Sequence, residues 1–202
     1  MLLFYSGLGG LTVFREIVKQ RPDLHYLYLA DDARFPYGAL AADEVIARVC
    51  EVVGAAIARG RPDCVVIACN TASTLVLPHL RAAHALPFVG TVPAIKPAAA
   101  LSRTRRIAVL ATPGTVRRDY THELIASFAA GCRVDLVGSA RLAALAEAEI
   151  SGTPVTDAEI LAEIAPCFRD DGGVATDVVV LACTHYSLLK VRFVKLAPWP
   201  VT

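Results

Sequence analysis

The 202-residue sequence predicts an α/β fold of two pseudo-symmetric αβα halves, residues 1–92 and 93–202, with mainly parallel sheets and an active site in the cleft between them. Three observations predict it. Short apolar runs alternate with stretches of helical periodicity, the pattern of βαβ units. The chain is 55% hydrophobic and only 19% charged, a balance expected when several strands are buried on both faces. Finally, Asp63-Cys-Val-Val-Ile-Ala-Cys69-Asn-Thr-Ala-Ser73 aligns without gaps on Asp177-Val-Val-Val-Leu-Ala-Cys183-Thr-His-Tyr-Ser187. Each segment is an apolar strand ending in cysteine and then polar residues.

In the first half, Leu2–Tyr5 reads as a strand, followed by the glycine-rich turn Ser6–Gly10 and a helix to about Gln20. His25–Ala30 is the next strand and runs into the loop Asp31–Gly38. Val45, Val49, Val52, Val53 and Ala56 give Ala42–Arg59 a helical stripe, with Gly60 as the expected C-cap. Cys64–Cys69 is a strand handing over to a helix with Asn70 as the expected N-cap. Phe88–Thr91 is a short strand.

The second half repeats the pattern. Pro93–Leu101 is a helix, Arg106–Ala111 a strand, Pro113–Thr115 a turn and Val116–Phe128 a helix. A strand follows at Val134–Val137, then helices at Ala140–Ile150 and Asp157–Ile164 and a loop at Asp170–Gly173. Val178–Cys183 is the last strand, with a helix from Ser187 that the prolines at 198 and 200 stop. Leu3–Gly10 also roughly mirrors Val109–Thr115.

Composition excludes several function classes. With a net charge of +1 and no run of lysine and arginine, the chain offers nothing to track nucleic-acid phosphates. No apolar stretch reaches the ~18 residues of a membrane span, and the N-terminus lacks the basic region of a signal peptide, so the expected compartment is the cytoplasm. The six cysteines, at 50, 64, 69, 132, 167 and 183, form no C-x-x-C pair. Gly7-x-Gly9 with Asp31 downstream has the spacing of a dinucleotide fingerprint, but Thr12 stands where the third glycine belongs. Cys69, Cys183 and His185 are acceptable zinc ligand types without the usual pairing, so no metal is expected.

Ligands of open α/β sheets bind at the carboxyl ends of the strands. Cys69 and Cys183 both fall there, and two facing halves would set one thiol on either side of a cleft. Two such thiols suit inversion of a stereocentre beside a carboxylate. One removes a proton from one face while the other returns a proton to the opposite face, and the reference thiol pKa of about 8.5 can be tuned toward working pH. Nothing announces a pyridoxal or nicotinamide cofactor, and none is expected. The bland alternatives are that the two cysteines are inert core thiols, that His185 is a satisfied polar residue at a strand end, and that Glu147, like Glu149, is solvated helix charge.

Ser6-Gly-Leu-Gly-Gly-Leu-Thr-Val13, Ala33-Arg-Phe-Pro-Tyr-Gly38, Ala68-Cys-Asn-Thr-Ala72 and Ala182-Cys-Thr-His-Tyr186 occur in the order seen in glutamate racemases, which the chain resembles over nearly its whole length. The end of the second half is similar to proteobacterial members. The resemblance implies cofactor-independent interconversion of L- and D-glutamate, supplying D-glutamate for peptidoglycan, with glutamate as the small-molecule partner and a possible homodimer. It implies Cys69 acting on the D-enantiomer and Cys183 on the L-enantiomer, His185 assisting Cys183, and Glu147 as a supporting carboxylate. Ser6, Pro36, Tyr37, Gly38, Asn70, Thr71, Thr115 and Thr184 would hold the substrate's carboxylates and ammonium. Hydroxyls and amide N–H groups do so without adding charge near the thiols. The competing readings are a racemase for aspartate or a related substrate, and an impaired homologue that only binds ligand.

Three departures from the resemblance stand out. Tyr5 occupies the place of an aspartate thought to help proton traffic at the first cysteine. Ser187 replaces a proline after Cys-Thr-His-Tyr. Related chains also run further than Thr202, which predicts exposed apolar surface on the first half.

Overall fold

Leu2–Tyr5 forms β1, buried at all four positions because parallel strands flank it on both sides. Those strands are β2 (Leu27–Ala30) and β3 (Val65–Ile67); β4 (Phe88–Gly90) pairs with β3, giving a parallel sheet of order β2-β1-β3-β4. This is the first of two units, Met1–Val92 and Pro93–Thr202, in a computed structural model that describes residues 1–202. Helices α1 (Leu11–Gln20), α2 (Ala42–Gly60) and α3 (Asn70–Ala83) follow β1, β2 and β3. The stripe Val45, Val49 and Val53 of α2 is buried, and packs with Leu2, Phe4, Val65, Ile67 and Val76 into one core.

The glycine at position 10, where the chain leaves β1 for α1, is sterically required. A Cβ there would lie 2.6 Å from the Cβ and Cγ of Tyr5 and from the Tyr28 hydroxyl.

Two caps differ from expectation. Gly60 is the last residue of α2, and Arg61 takes the left-handed conformation (φ 43°), donating its N–H to Ile57 O at 2.9 Å. Pro62 disfavours helical backbone at the residue before it, so the chain leaves the helix at Arg61. Cys69, in extended backbone, is the N-cap of α3, and Asn70 is the first helical residue. The strand itself stops at Ile67, and the Cys69 carbonyl already accepts the Ser73 N–H at 2.8 Å. β2 likewise starts at Leu27 rather than His25; it is an edge strand, and Leu27 is exposed.

In the second unit, α4 (Ile95–Leu101) leads into β5 (Arg106–Ala111), the central and fully buried strand. Then come α5 (Pro113–Val116), α6 (Asp119–Phe128), β6 (Arg133–Gly138), α7 (Leu142–Ile150), α8 (Asp157–Ile164), β7 (Val178–Leu181) and α9 (Lys190–Leu196). The parallel sheet has order β6-β5-β7. On the outer edge of β7, Thr202 donates its N–H to Asp177 O at 2.9 Å and accepts that of Val179 at 3.0 Å. The two sheets thus share one order, with Thr202 standing where β4 stands in the first.

Helical structure around two loops is also redistributed. Residues 113–115 belong to the one-turn α5 because the Thr112 side chain caps it, accepting the Thr115 N–H at 3.4 Å; the longer helix begins only at Asp119. After β7 the chain forms a 3-10 segment, Thr184–Leu189, before α9. No helix is long and apolar enough to cross a membrane.

Candidate active site

Cys69 leaves β3 at the carboxyl end of its sheet and is 4% exposed. Burial is the largest influence on its thiol and pushes the pKa up. The N–H groups of Ala72 and Thr71 and the hydroxyls of Ser6 and Thr71 oppose that by bonding the sulfur. Ser6 Oγ lies 3.7 Å from Cys69 Sγ, bringing together residues from the ends of neighbouring strands β1 and β3. The N-terminal turn of α3 therefore aims backbone donors at the thiol, the usual way a helix start favours a thiolate. Asn70 and Thr71 are both buried here, and Asn70 Oδ1 and the unanticipated Ser73 Oγ have no protein partner.

The loop after β2 carries the remaining expected residues of this unit. Pro36 follows a cis peptide bond, and Tyr37–Ala39 is one 3-10 turn. Tyr37 is 2% exposed and belongs to the same buried cluster as Cys69; burial, then the Asp31 carboxylate and, to a smaller extent, a Cys69 thiolate, disfavour its ionisation. Its hydroxyl donates to Asp31 Oδ2 at 2.6 Å, and Arg48 grips the same carboxylate from Nε (2.9 Å) and Nη2 (2.7 Å). Asp31 and Arg48 were not anticipated as site residues. They stand 17 positions apart, and the one available signal is that Arg48 borders the buried valine stripe of α2.

Cys183 follows β7, also at the carboxyl end of its sheet, and is buried. Its Sγ is 3.8 Å from His185 Nδ1, and His185 Nε2 is 2.6 Å from Glu147 Oε1 on α7. Burial lowers the His185 pKa, and the Glu147 carboxylate pulls it back toward its ordinary value without fully compensating. A neutral imidazole donating Nε2–H to Glu147 leaves Nδ1 as an acceptor facing the thiol. Thr184 starts the 3-10 segment. Thr115 is fully buried beyond β5, its Oγ1 3.1 Å from that of Thr112 and its carbonyl accepting the Thr121 hydroxyl. It shares the sheet end of Cys183, since Ala182 N–H donates to Leu110 O.

No group of three or more His, Cys, Asp or Glu side chains is arranged to hold a metal ion. A largely apolar cavity of about 440 Å³ in the second unit, lined by Leu110, Phe168, Leu181, Phe193 and others, includes none of the expected site residues.

Each unit thus carries, just past one strand of its parallel sheet, a buried cysteine with hydrogen-bonding partners: Ser6 and the first N–H groups of α3 at Cys69, and His185 at Cys183. The chain belongs to the Asp/Glu/hydantoin racemase family, whose model matches residues 8–202. It is 55% identical to the glutamate racemase of Brucella anthropi, an alignment covering all of this chain and 73% of that one. Among solved structures it is similar to Escherichia coli glutamate racemase in complex with L-glutamate and the activator UDP-MurNAc-Ala. The TM-score there is 0.92 with 43% identity, over 100% of this chain and 76% of that one. Glutamate racemase from Aquifex pyrophilus matches with a TM-score of 0.75 and 32% identity, over 100% and 77% of the two chains.

Proposed function

We propose that this chain interconverts L- and D-glutamate without a cofactor, by proton transfer between Cys69 and Cys183, and so supplies D-glutamate for peptidoglycan. The observation that carries the reading is that each thiol past the matched strands, though buried, has hydrogen-bonding partners: Ser6, Thr71 and the Ala72 N–H at Cys69, and His185 at Cys183. The relatives' activity supports glutamate as the substrate.

In the L-to-D direction, Cys183 passes its proton to His185 Nδ1, and Glu147 stabilises the resulting imidazolium. The thiolate takes the α-proton, and Cys69, held as a thiol by burial, delivers its own proton to the opposite face. The Cys69 thiolate left behind accepts the N–H and hydroxyl bonds of Ala72, Thr71 and Ser6. In the reverse direction the Cys69 thiolate takes the α-proton and the Cys183 thiol returns its own to the opposite face, after which the Cys183 thiolate recovers the proton held on His185. Ser6, Asn70, Thr71, Thr115, Thr184 and the Pro36–Gly38 segment hold the two carboxylates and the ammonium.

Circular dichroism of L- and D-glutamate solutions tests this. The unaltered chain drives both to zero ellipticity, while Cys69→Ser and Cys183→Ser each slow both directions by roughly 10²–10⁴-fold. Serine variants racemising at the unaltered rate would overturn the mechanism. Tyr5 favours a second reading, an impaired homologue that binds glutamate without turning it over; glutamate binding with no change in ellipticity would establish it.

A further inference from the structure

Asp31 is the junction of the first unit's site. Its N–H donates to the carbonyl of Tyr5 at 2.9 Å, directly before the Ser6 that touches Cys69. Its carboxylate receives the Tyr37 hydroxyl on one oxygen and the two-pronged Arg48 guanidinium across both. Asp31 is 4% exposed, and a buried carboxylate of this kind keeps its place only while its charge is matched. Arg48 supplies that match from α2, a helix fixed by its own valine core and outside the loop it holds. Tyr37 is consequently held by its side chain. What the Pro36–Gly38 segment presents toward Cys69 depends on where that ring is anchored.

We infer that Arg48, acting through Asp31, is a positioning residue that fixes Tyr37 and with it the segment Pro36–Gly38 against the Cys69 side of the site. The inference rests on the glutamate racemase reading for its kinetic consequence but not for its structural one. Misplacing a binding segment by an ångström or less weakens ligand binding and orientation without touching the reacting thiols. Lysine replaces the guanidinium fork only in part, because its point charge cannot grip both carboxylate oxygens.

The test uses the full-length chain carrying Arg48→Ala, Arg48→Lys, Tyr37→Phe and the Arg48→Ala/Tyr37→Phe pair. Racemisation is followed in both directions, and iodoacetamide labelling of each cysteine is followed by mass spectrometry. Arg48→Ala is expected to raise KM for both enantiomers about tenfold with a smaller change in kcat, and Arg48→Lys to fall between. In the Tyr37→Phe background, Arg48→Ala should add less than about twofold, since both act on one element. Cys69 should label faster while Cys50, half-buried on the same α2, labels as before. Multiplying kinetic effects, an unchanged KM, or Cys50 labelling that rises in step with Cys69 overturns the inference. If Arg48→Ala does not fold, Arg48→Met with Asp31→Asn removes the pair without stranding a charge, and the same outcomes decide. A chain that does not racemise glutamate at all overturns the functional reading, and the labelling pattern then decides the inference alone.

Discussion

His185 Nε2 sits 2.6 Å from Glu147 Oε1, so a histidine two residues past a strand-ending cysteine is tied to a carboxylate 38 positions earlier in the chain. That bond selects the tautomer whose Nδ1 faces the Cys183 sulfur, 3.8 Å away. Glu147→Gln keeps a side chain of the same shape but removes the charge that steadies an imidazolium. It should lower kcat by about 10–100-fold, and His185→Asn by more, at the scale of a general base. Because the equilibrium constant of a racemisation is one, kcat/KM must fall equally for the two enantiomers. Initial-rate polarimetry from both sides checks this, and an unaltered rate in Glu147→Gln would remove the carboxylate from the mechanism.

Burial also gives His185 a signature in stability. Its folded pKa is depressed, so between that value and the unfolded value of about 6.5 the unfolded chain binds this proton and the folded chain does not. Unfolding therefore takes up a proton, and stability falls as the pH drops below about 6.5. Urea midpoints measured at pH 7 and pH 5 should separate more in the unaltered chain than in His185→Asn. Equal separation would mean that the histidine titrates alike in both states.

The sequence made the strand ends legible and left the side-chain partners hidden. Val65–Ile67 and Val178–Leu181 are apolar runs long enough to read as buried strands, and the gapless match around Cys69 and Cys183 marks the two sheets as related. The likeness does not extend to every aligned residue. Asp177 is tied to three donors, whereas its counterpart Asp63 is exposed. Local geometry departs from the sequence pattern where a neighbour decides it: Pro62 moves the C-cap of α2 to Arg61, and the Thr112 cap turns residues 113–115 into the one-turn α5. The Arg48–Asp31–Tyr37 junction was invisible because local periodicity carries no information about which helix face meets which loop.

Tyr5→Asp sets two effects against each other. Tyr5 is 1% exposed and packs against Gly10, so removing its ring leaves a cavity at a cost of about 3–5 kcal/mol, to which the buried carboxylate adds. The same carboxylate would stand one residue before Ser6, whose hydroxyl touches Cys69, at the position where the resemblance to glutamate racemases has an aspartate. The expected outcome is a lower melting temperature together with faster racemisation below that temperature. If the rate in the folded variant does not change, the missing aspartate is irrelevant to proton traffic at Cys69.

Asp177 supports the strand that delivers Cys183. Its carboxylate accepts the Ser102 hydroxyl at 2.6 Å and the N–H groups of Arg103 and Thr104 at 2.6 and 3.0 Å, closing the turn between α4 and β5. Burial pushes its pKa up, but these bonds together outweigh burial and hold it below the ordinary carboxylate value. A depressed folded pKa means the bonds contribute fully above the unfolded value of about 3.9 and are lost as the pH falls through the folded one. Asp177→Ala leaves two backbone donors and a hydroxyl to water at a partly exposed site, so the cost should be modest, about 1–2 kcal/mol at pH 7. Most of that difference from the unaltered chain should vanish near pH 2. Urea unfolding of both chains at the two pH values measures it, and a loss that stays the same at pH 2 would assign Asp177 a packing role independent of its charge.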